Sequence, residues 1–419
     1  MSEQERQEAM LGPYRVLDLS DEKGALCGAL LGSLGADVIK IEKPDGDPMR
    51  NLGRFFHDEP DPEKSLFWMG YNVNKRGITL DIETADGREM FKRLVKTADI
   101  VLESFKPGYM DGLGLGYKEL EKINPKIIMT SITPFGHDGP YKDYKSSDLV
   151  SWALGGLLAM TGDPDRPPVR VSHIPVSYLM AGYDGVWGAL MALYWRGTSG
   201  EGQYVDVSIQ ETMAKSAWLT HEKWRVQGQR RERASSWYMC GDVPIYQVWK
   251  TKDGYLTFFA FSGEQGRHRG PLIVNWLDEE GMADDYLKGV VWHELDWWHE
   301  TKERAEKIQG YFARFFESKT NAEILDGAIK RRIELHPMST PKQVLTHHQL
   351  KARDYWQQVE HSDLGVTMAY PSRVFTSSES STKIWRRAPL IGEHNKEIYH
   401  KELGLSDDDM VVLKQGGVI

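Results

Sequence analysis

Short apolar runs recur along the first third of the chain, and their period switches between two and about 3.6. Arg15-Val16-Leu17-Asp18-Leu19 predicts a strand, and the small, apolar stretch from Gly24 to Leu34 predicts a tightly packed helix. Val38-Ile39-Lys40-Ile41-Glu42 alternates and is β-branched, the pattern of a second strand. Met90, Phe91, Leu94 and Val95 fall on one helical face within Thr84 to Thr97. Asp99-Ile100-Val101-Leu102 predicts a third strand, Tyr117 to Ile123 a short helix, and Ile127-Ile128-Met129 a fourth strand. Strands separated by helices imply βαβ units and a mainly parallel sheet, an α/β fold.

Further along, Tyr183 to Trp195 predicts an apolar helix and Tyr204-Val205-Asp206-Val207 another strand. Residues 222–238 are polar and arginine-rich, which suits a linker. From Val243 to Phe261 two alternating runs flank Lys252-Asp253-Gly254, a hairpin signal. Residues 275–335 read as mostly charged helix with tryptophan interleaved, Pro337 to His348 as a second linker, and Ala388 to Gly404 as loop, then helix. The expected division is a large lobe begun by residues 1–220, a linker at 221–240, a smaller α+β middle lobe at 241–335, and a linker and C-terminal return at 336–419.

The length, 419 residues, suits two lobes rather than one domain. The net charge is −9 and no long basic run occurs, so a nucleic-acid footprint is absent. The two cysteines, Cys27 and Cys240, form neither a metal-spaced pair nor a disulfide framework, which fits a reducing cytoplasm. The polar N-terminus is not the pattern of a signal peptide, and no stretch reaches the roughly 18 apolar residues of a membrane helix.

Generic chemical motifs are poor. His293 and His299 are six apart where a helical zinc pair needs four, so solvated histidines are the better reading and no metal is expected. Gly112-Leu113-Gly114-Leu115-Gly116 lacks the strand-then-helix context of a dinucleotide loop and reads as a turn. There is no Gly-x-Ser-x-Gly elbow.

Longer strings are more specific. In order, they are Gly35-Ala36-Asp37-Val38-Ile39-Lys40-Ile41-Glu42, then Asn72-Val73-Asn74-Lys75-Arg76-Gly77-Ile78-Thr79-Leu80-Asp81, then Phe105-Lys106-Pro107-Gly108 and Asn124-Pro125-Lys126. Phe135-Gly136-His137-Asp138-Gly139-Pro140, Gly200-Glu201-Gly202-Gln203-Tyr204-Val205-Asp206-Val207-Ser208 and Arg387-Ala388-Pro389-Leu390-Ile391-Gly392-Glu393-His394 complete the series. Together they resemble the family III CoA-transferases, the superfamily of formyl-CoA transferase, carnitine CoA-transferase and α-methylacyl-CoA racemase. The resemblance implies a large Rossmann-like lobe built from both chain ends, a smaller middle lobe, and two subunits interlocked like chain links. It implies CoA and acyl-CoA as substrates, with no covalently bound cofactor. In such enzymes a carboxylate attacks the acyl-CoA, and an anhydride and then an aspartyl-CoA thioester follow.

That carboxylate normally stands four residues before a glycine. Here the glycine is Gly182 and the position is Tyr178, a phenol with a reference pKa of about 10. Ser177 and Leu179 beside it are not acids. Asp184 is six residues on, about 240° around a helix, and reads as a surface or capping carboxylate. Asp148 matches an acid common in the superfamily. The racemases' catalytic histidine falls on Ser147 and their second acid on Tyr178, which disfavours racemase chemistry. His137 reads as a turn residue.

Lys43, Lys75, Phe105 and Lys145 match CoA contacts of the family, although any one lysine also reads as a solvated surface charge. The family's Ala-Gly-Pro is Lys23-Gly24-Ala25 here, and a commonly basic position is Gly112; both departures weaken the CoA site. In the middle lobe, Gly263, Gly266, Arg267 and Arg269 match the glycine-rich loop that covers a partner's active site. Two readings stand for the arginines: forks for a substrate carboxylate, or an exposed charged loop. The resemblance therefore implies a non-nucleophilic subunit whose homologous partner carries the aspartate. Two-subunit members such as succinyl-CoA:benzylsuccinate CoA-transferase have such a chain, and the acceptors then include aromatic acids. The alternatives are a self-sufficient homodimer with a displaced nucleophile and a non-enzymatic acyl-CoA-binding protein.

Overall fold

The computed structural model describes residues 9–171, 173–228, 233–234, 236–372, 374–380 and 382–419. Part of the 222–238 linker, residues 229–232 and 235, lies outside the described residues. The chain divides into two compact units, one of Met1–Leu158, Arg170–Gln227 and His348–Ile419, the other of Ala159–Val169 and Gly228–His347.

The large unit is built on six parallel strands: β1 (Arg15–Asp18), β2 (Asp37–Glu42), β3 (Lys75–Thr79), β4 (Ile100–Glu103), β5 (Ile128–Thr133) and β6 (Tyr204–Ser208). Their order is β3-β2-β1-β4-β5-β6, a doubly wound arrangement. Successive residues supply opposite faces. Leu17, Ile39 and Val101 enter one core, and Val16, Val38, Ile100 and Leu102 enter the other. A parallel sheet covered on both faces requires this. β3 was not expected, because it opens Lys75-Arg76-Gly77. Both charges are nevertheless buried, Lys75 against Asp18 at 2.7 Å and Arg76 against Asp37 at 2.6 Å.

Helix α1 (Ala25–Ser33) follows β1, and α2 (Ala85–Val95) covers the sheet with the apolar face expected of it, Met90, Phe91, Leu94 and Val95. The remaining helices that matter are α3 (Asp148–Leu154), α4 (Val176–Ser199), α5 (Ile209–Ser216) and α6 (Trp218–Gln227). The last takes in residues 222–227, the first part of the stretch 222–238 whose polarity suggested linker. α4 is 24 residues long and begins well before the expected Tyr183. Small residues seat it: a Cβ on Gly185 would lie 2.7 Å from Ile132 Cδ1 and 3.1 Å from Cys27 Sγ, so a larger residue there would have to push side chains of β5 and α1 aside.

The C-terminal return is pinned by buried charge. Arg50 grips Glu42 through Nε at 2.7 Å and Nη2 at 2.8 Å, and also donates to the Pro389 carbonyl at 3.0 Å. Its guanidinium lies 3.7 Å above the Trp68 ring, whose indole N–H donates to the same carbonyl at 2.9 Å.

The small unit contains a hairpin of β7 (Trp237–Cys240) and β8 (Val243–Tyr246), and a three-stranded sheet of β9 (Val248–Lys250), β10 (Tyr255–Phe258) and β11 (Leu335–Pro337). The Lys252-Asp253-Gly254 turn joins β9 to β10. Helices α7 (Gly263–Glu279), α8 (Lys302–Glu317) and α9 (Asn321–Arg331) pack on an aromatic core that includes Trp249, Phe258, Trp276, Trp292 and Phe312. Among the described residues no helix is long and apolar enough to cross a membrane, and no cluster of metal-ligating side chains occurs.

Candidate active site

In a doubly wound sheet, ligands bind beyond the carboxyl ends of the strands where the strand order reverses. Here that point lies between β1 and β4. A cleft of about 320 Å³ opens there, lined among others by Leu19, Asp21, Lys43, Leu80, Ser104 and Phe105. Lys43 and Phe105, two of the expected CoA contacts, thus share one cleft. Phe105 packs on Tyr109 at 4.6 Å between ring centroids. Lys43 lies 3.0 Å from the Glu83 carboxylate, which also accepts the Tyr109 hydroxyl at 2.7 Å. Glu42, at the end of β2, is the acid that would bind a ribose in a dinucleotide fold. Its oxygens are instead taken by Arg50 and the Asp47 N–H. Asp21 and Glu22 lie in the turn before α1, ahead of its N-cap Gly24, and Asp21 is paired with Lys23; the acids there disfavour a phosphate.

The other two expected CoA contacts are elsewhere. Lys75 is wholly buried, held by Asp18 at 2.7 Å, the Ala25 carbonyl at 2.9 Å and Asn72 Oδ1 at 2.8 Å. An ammonium has three donors, so none is left for a ligand, and its place is structural. Burial lowers its pKa, with Asp18 pulling the other way. Lys145 is exposed in the segment before α3 and does not line the cleft.

Tyr178 sits in the first turn of α4 and lines a second cleft of about 610 Å³, together with Glu22, Leu52, Phe67, Tyr71, Pro175 and Tyr370. Burial, then Glu22 and Asp21, push its phenol well above the ordinary range, so it holds its proton at neutral pH. The turn between β1 and α1 separates the two clefts: Asp21 borders the first and Glu22 the second. Burial, then Asp21, raise the Glu22 carboxyl. Glu22 is the acid of this cleft, and nothing in its sequence context marked it.

The start of α4 is fixed from a distance. Asp148 accepts the Ser177 N–H at 2.9 Å and its hydroxyl at 2.8 Å, while Arg170 lies 3.2 Å from the same carboxylate. Asp184 accepts from Thr212 at 2.6 Å and pairs with Lys215 at 2.7 Å, which ties α4 to α5. It does not line the Tyr178 cleft. His137 stands in its turn, its backbone N–H bound to Asp206 at 2.9 Å. Burial opposes its charge, but Glu103 raises its pKa above the ordinary value.

In the small unit, Gly263, Gly266, Arg267 and Arg269 form no loop. They are the first turns of α7. Gly266 and Gly270 are buried there, and a side chain at Gly270 would run into the Trp292 ring. Arg267 pairs with Glu264 at 2.6 Å, and Arg269 with Glu334 at 2.9 Å.

Comparison with known proteins gives a consistent result. CoA-transferase family III matches residues 11–395. The chain is 34% identical, over 92% of both sequences, to succinyl-CoA:(R)-benzylsuccinate CoA-transferase subunit BbsE of Thauera aromatica. It is 29% identical to the succinyl-CoA–L-malate CoA-transferase beta subunit of Chloroflexus aurantiacus, over 98% of each. A crystal structure of a CAIB/BAIF family protein from Brucella suis superposes with a TM-score of 0.77 at 27% identity, covering 93% of this chain and 98% of that one. The doubly wound sheet, the cleft at its switch point and the whole-length match agree: the chain belongs to CoA-transferase family III, whose substrates are CoA thioesters.

Proposed function

We propose that this chain is the non-nucleophilic subunit of a two-subunit CoA-transferase. The complex moves CoA from an acyl-CoA such as succinyl-CoA to a carboxylic acid, aromatic acids such as benzylsuccinate included. The observation that carries this reading is Tyr178: a buried, protonated phenol occupies the position where the family places its attacking carboxylate. A homologous subunit with aspartate at that position supplies the nucleophile, and this chain's small unit contributes to the sister's site. Two relatives described as subunits of larger enzymes support it. Purification from the native host tests it: an aspartate-bearing homologue should co-purify in equal amount.

The same helix offers a surface for such a partner. Tyr183, Trp187, Met191, Tyr194 and Trp195 recur at helical spacing along α4, and Trp187 and Tyr194 are 67% and 79% exposed. Monomeric proteins rarely leave such a stripe to water, and large aromatics carry most of the energy of interfaces. Trp187→Ala should therefore weaken association with the partner by about 2 kcal/mol or more, read by sedimentation, with the chain's own unfolding midpoint unchanged.

CoA, in this reading, lies in the switch-point cleft with its adenine against Phe105 and a phosphate at Lys43, displacing Glu83. Phe105→Ala should cost about 1–3 kcal/mol of CoA affinity, the scale of one base stacked on an aromatic ring, measured by calorimetric titration.

A second reading, a self-sufficient homodimer with a displaced nucleophile, is favoured by one observation: Glu22 faces the Tyr178 cleft. Asp184 is not the candidate, since Thr212 and Lys215 hold it outside that cleft. In this reading the purified chain alone turns over acyl-CoA, and Glu22→Gln abolishes that turnover. In the two-subunit reading, Glu22→Gln leaves turnover of the assembled complex within about tenfold, the scale of one lost hydrogen bond.

A further inference from the structure

The small unit holds a cavity that the scheme above does not use. It encloses about 210 Å³ behind the segment Phe258–Phe261. Its walls are aromatic: Phe258 and Phe312 meet edge to face at 5.5 Å, and Trp292 and Phe312 lie nearly parallel at 6.1 Å. Its rim carries Arg269, Arg332 and Glu334. Arg269 is committed, 2.9 Å from Glu334 and 4.0 Å from the centre of the Phe261 ring. Arg332 is not. It caps α9 in the left-handed conformation (φ 55°), it is exposed, and its guanidinium makes no ion pair or hydrogen bond among the described residues. Two guanidiniums against one carboxylate leave the rim with one uncompensated positive charge.

The size is selective. An engineered apolar cavity of about 150 Å³ admits benzene, so this one has room for a single six-membered ring and a short tether. Its walls offer ring faces and edges, which suit another ring better than a flexible alkyl chain. Its rim offers an unpaired fork, which suits a carboxylate.

We propose that this cavity is a binding site for carboxylic acids bearing one aromatic ring on a short chain, the ring within the aromatic box and the carboxylate on Arg332. The proposal rests on the reading that the chain serves an enzyme whose acceptors are carboxylic acids, and it locates where this chain selects among them. The ligand's ring contacts Phe258, Trp292 and Phe312. Leu272 and Ile273 close the apolar side.

Calorimetric titration of the full-length chain, without partner or CoA, tests it. The probes are 3-phenylpropionate, its neutral amide and hexanoate. The acid should bind saturably, and the amide and hexanoate should each bind about tenfold more weakly, a difference of about 1.4 kcal/mol. Arg332→Asn, chosen because asparagine tolerates the left-handed backbone, should bring the acid down to the amide's affinity and leave the amide unchanged. Leu272→Phe, which fills the cavity, should remove binding of both. If that variant fails to fold, Arg332→Asn alone decides. Absence of saturable binding by the acid, or an affinity unmoved by Arg332→Asn, overturns the proposal. Because no turnover is measured, its failure is distinct from that of the two-subunit reading, which stands or falls on the co-purifying subunit.

Discussion

Lys75→Met should destabilise the large unit by about 3–5 kcal/mol, the cost of stranding one member of a buried ion pair. Methionine keeps most of the side chain's length, so the loss isolates the charge. Asp18 is wholly buried on β1, and its Oδ1 is already engaged by the Ser20 N–H at 2.9 Å and hydroxyl at 2.6 Å. Without the ammonium, its other oxygen faces Gly28 on α1 and loses its direct ion pair; the remaining charge that acts on it, Lys40, is already held by Asp47 and the Ser20 carbonyl. The double variant Asp18→Asn with Lys75→Met should recover much of the loss, because both charges then leave together. Urea denaturation measures all three. Urea denaturation with a CoA titration beside it separates two roles for Lys75: a CoA ligand would change CoA affinity and leave the unfolding midpoint in place.

Arg50→Ala should cost a similar amount, about 3–5 kcal/mol. Glu42 and Arg50 are both buried, and Arg50 reaches Glu42, Glu63, the Pro389 carbonyl and the Trp68 ring at once. Removing it strands Glu42 and frees the segment that returns from the C-terminus to the sheet. Limited proteolysis should then cut near Pro389 earlier than in the wild type, alongside the lower urea midpoint. Arg50→Lys should rescue little, since a point charge does not reproduce the two-pronged grip on Glu42.

Buried ion pairs also decide which parts of the fold were legible in the sequence. Strands β1, β2, β4, β5 and β6 were read from their apolar residues, because each sends apolar side chains to both faces. β3 was missed because Lys75 and Arg76 look like surface residues until Asp18 and Asp37, dozens of positions away, are placed beside them. The order of the strands is set by packing and left no local mark. α4 was expected from Tyr183 onward. Its true start depends on Asp148, whose bonds to Ser177 span 29 residues. The first turns of α7, through Gly270, were expected as a glycine-rich loop, and helix only from residue 275. Gly266 and Gly270 are small because Phe261 and Trp292 crowd them, and a helix whose glycines serve packing looks like a loop in sequence.

The site was legible in the same uneven way. Lys43 and Phe105 were expected near CoA and do line one cleft. Tyr178 was expected where the resemblance puts the family's aspartate, and the structure buries it in a cleft. Glu22 left no mark in the sequence because its place in the Tyr178 cleft depends on which side of the β1–α1 turn its side chain emerges, a matter of tertiary geometry. Arg332, the residue proposed for the carboxylate, ends a charged helix, and its place beside the aromatic cavity left no mark in the local sequence.

In the two-subunit reading this chain supplies no nucleophile of its own. Incubating the purified chain with succinyl-CoA, alone and as the complex isolated from its host, and mapping any covalent CoA or acyl adduct by mass spectrometry after trapping decides the point. No adduct is expected on this chain in either sample, and one is expected on an aspartate of a co-purified homologous subunit. An adduct on Glu22, or on any other carboxylate of this chain, formed in the absence of a partner, would contradict it.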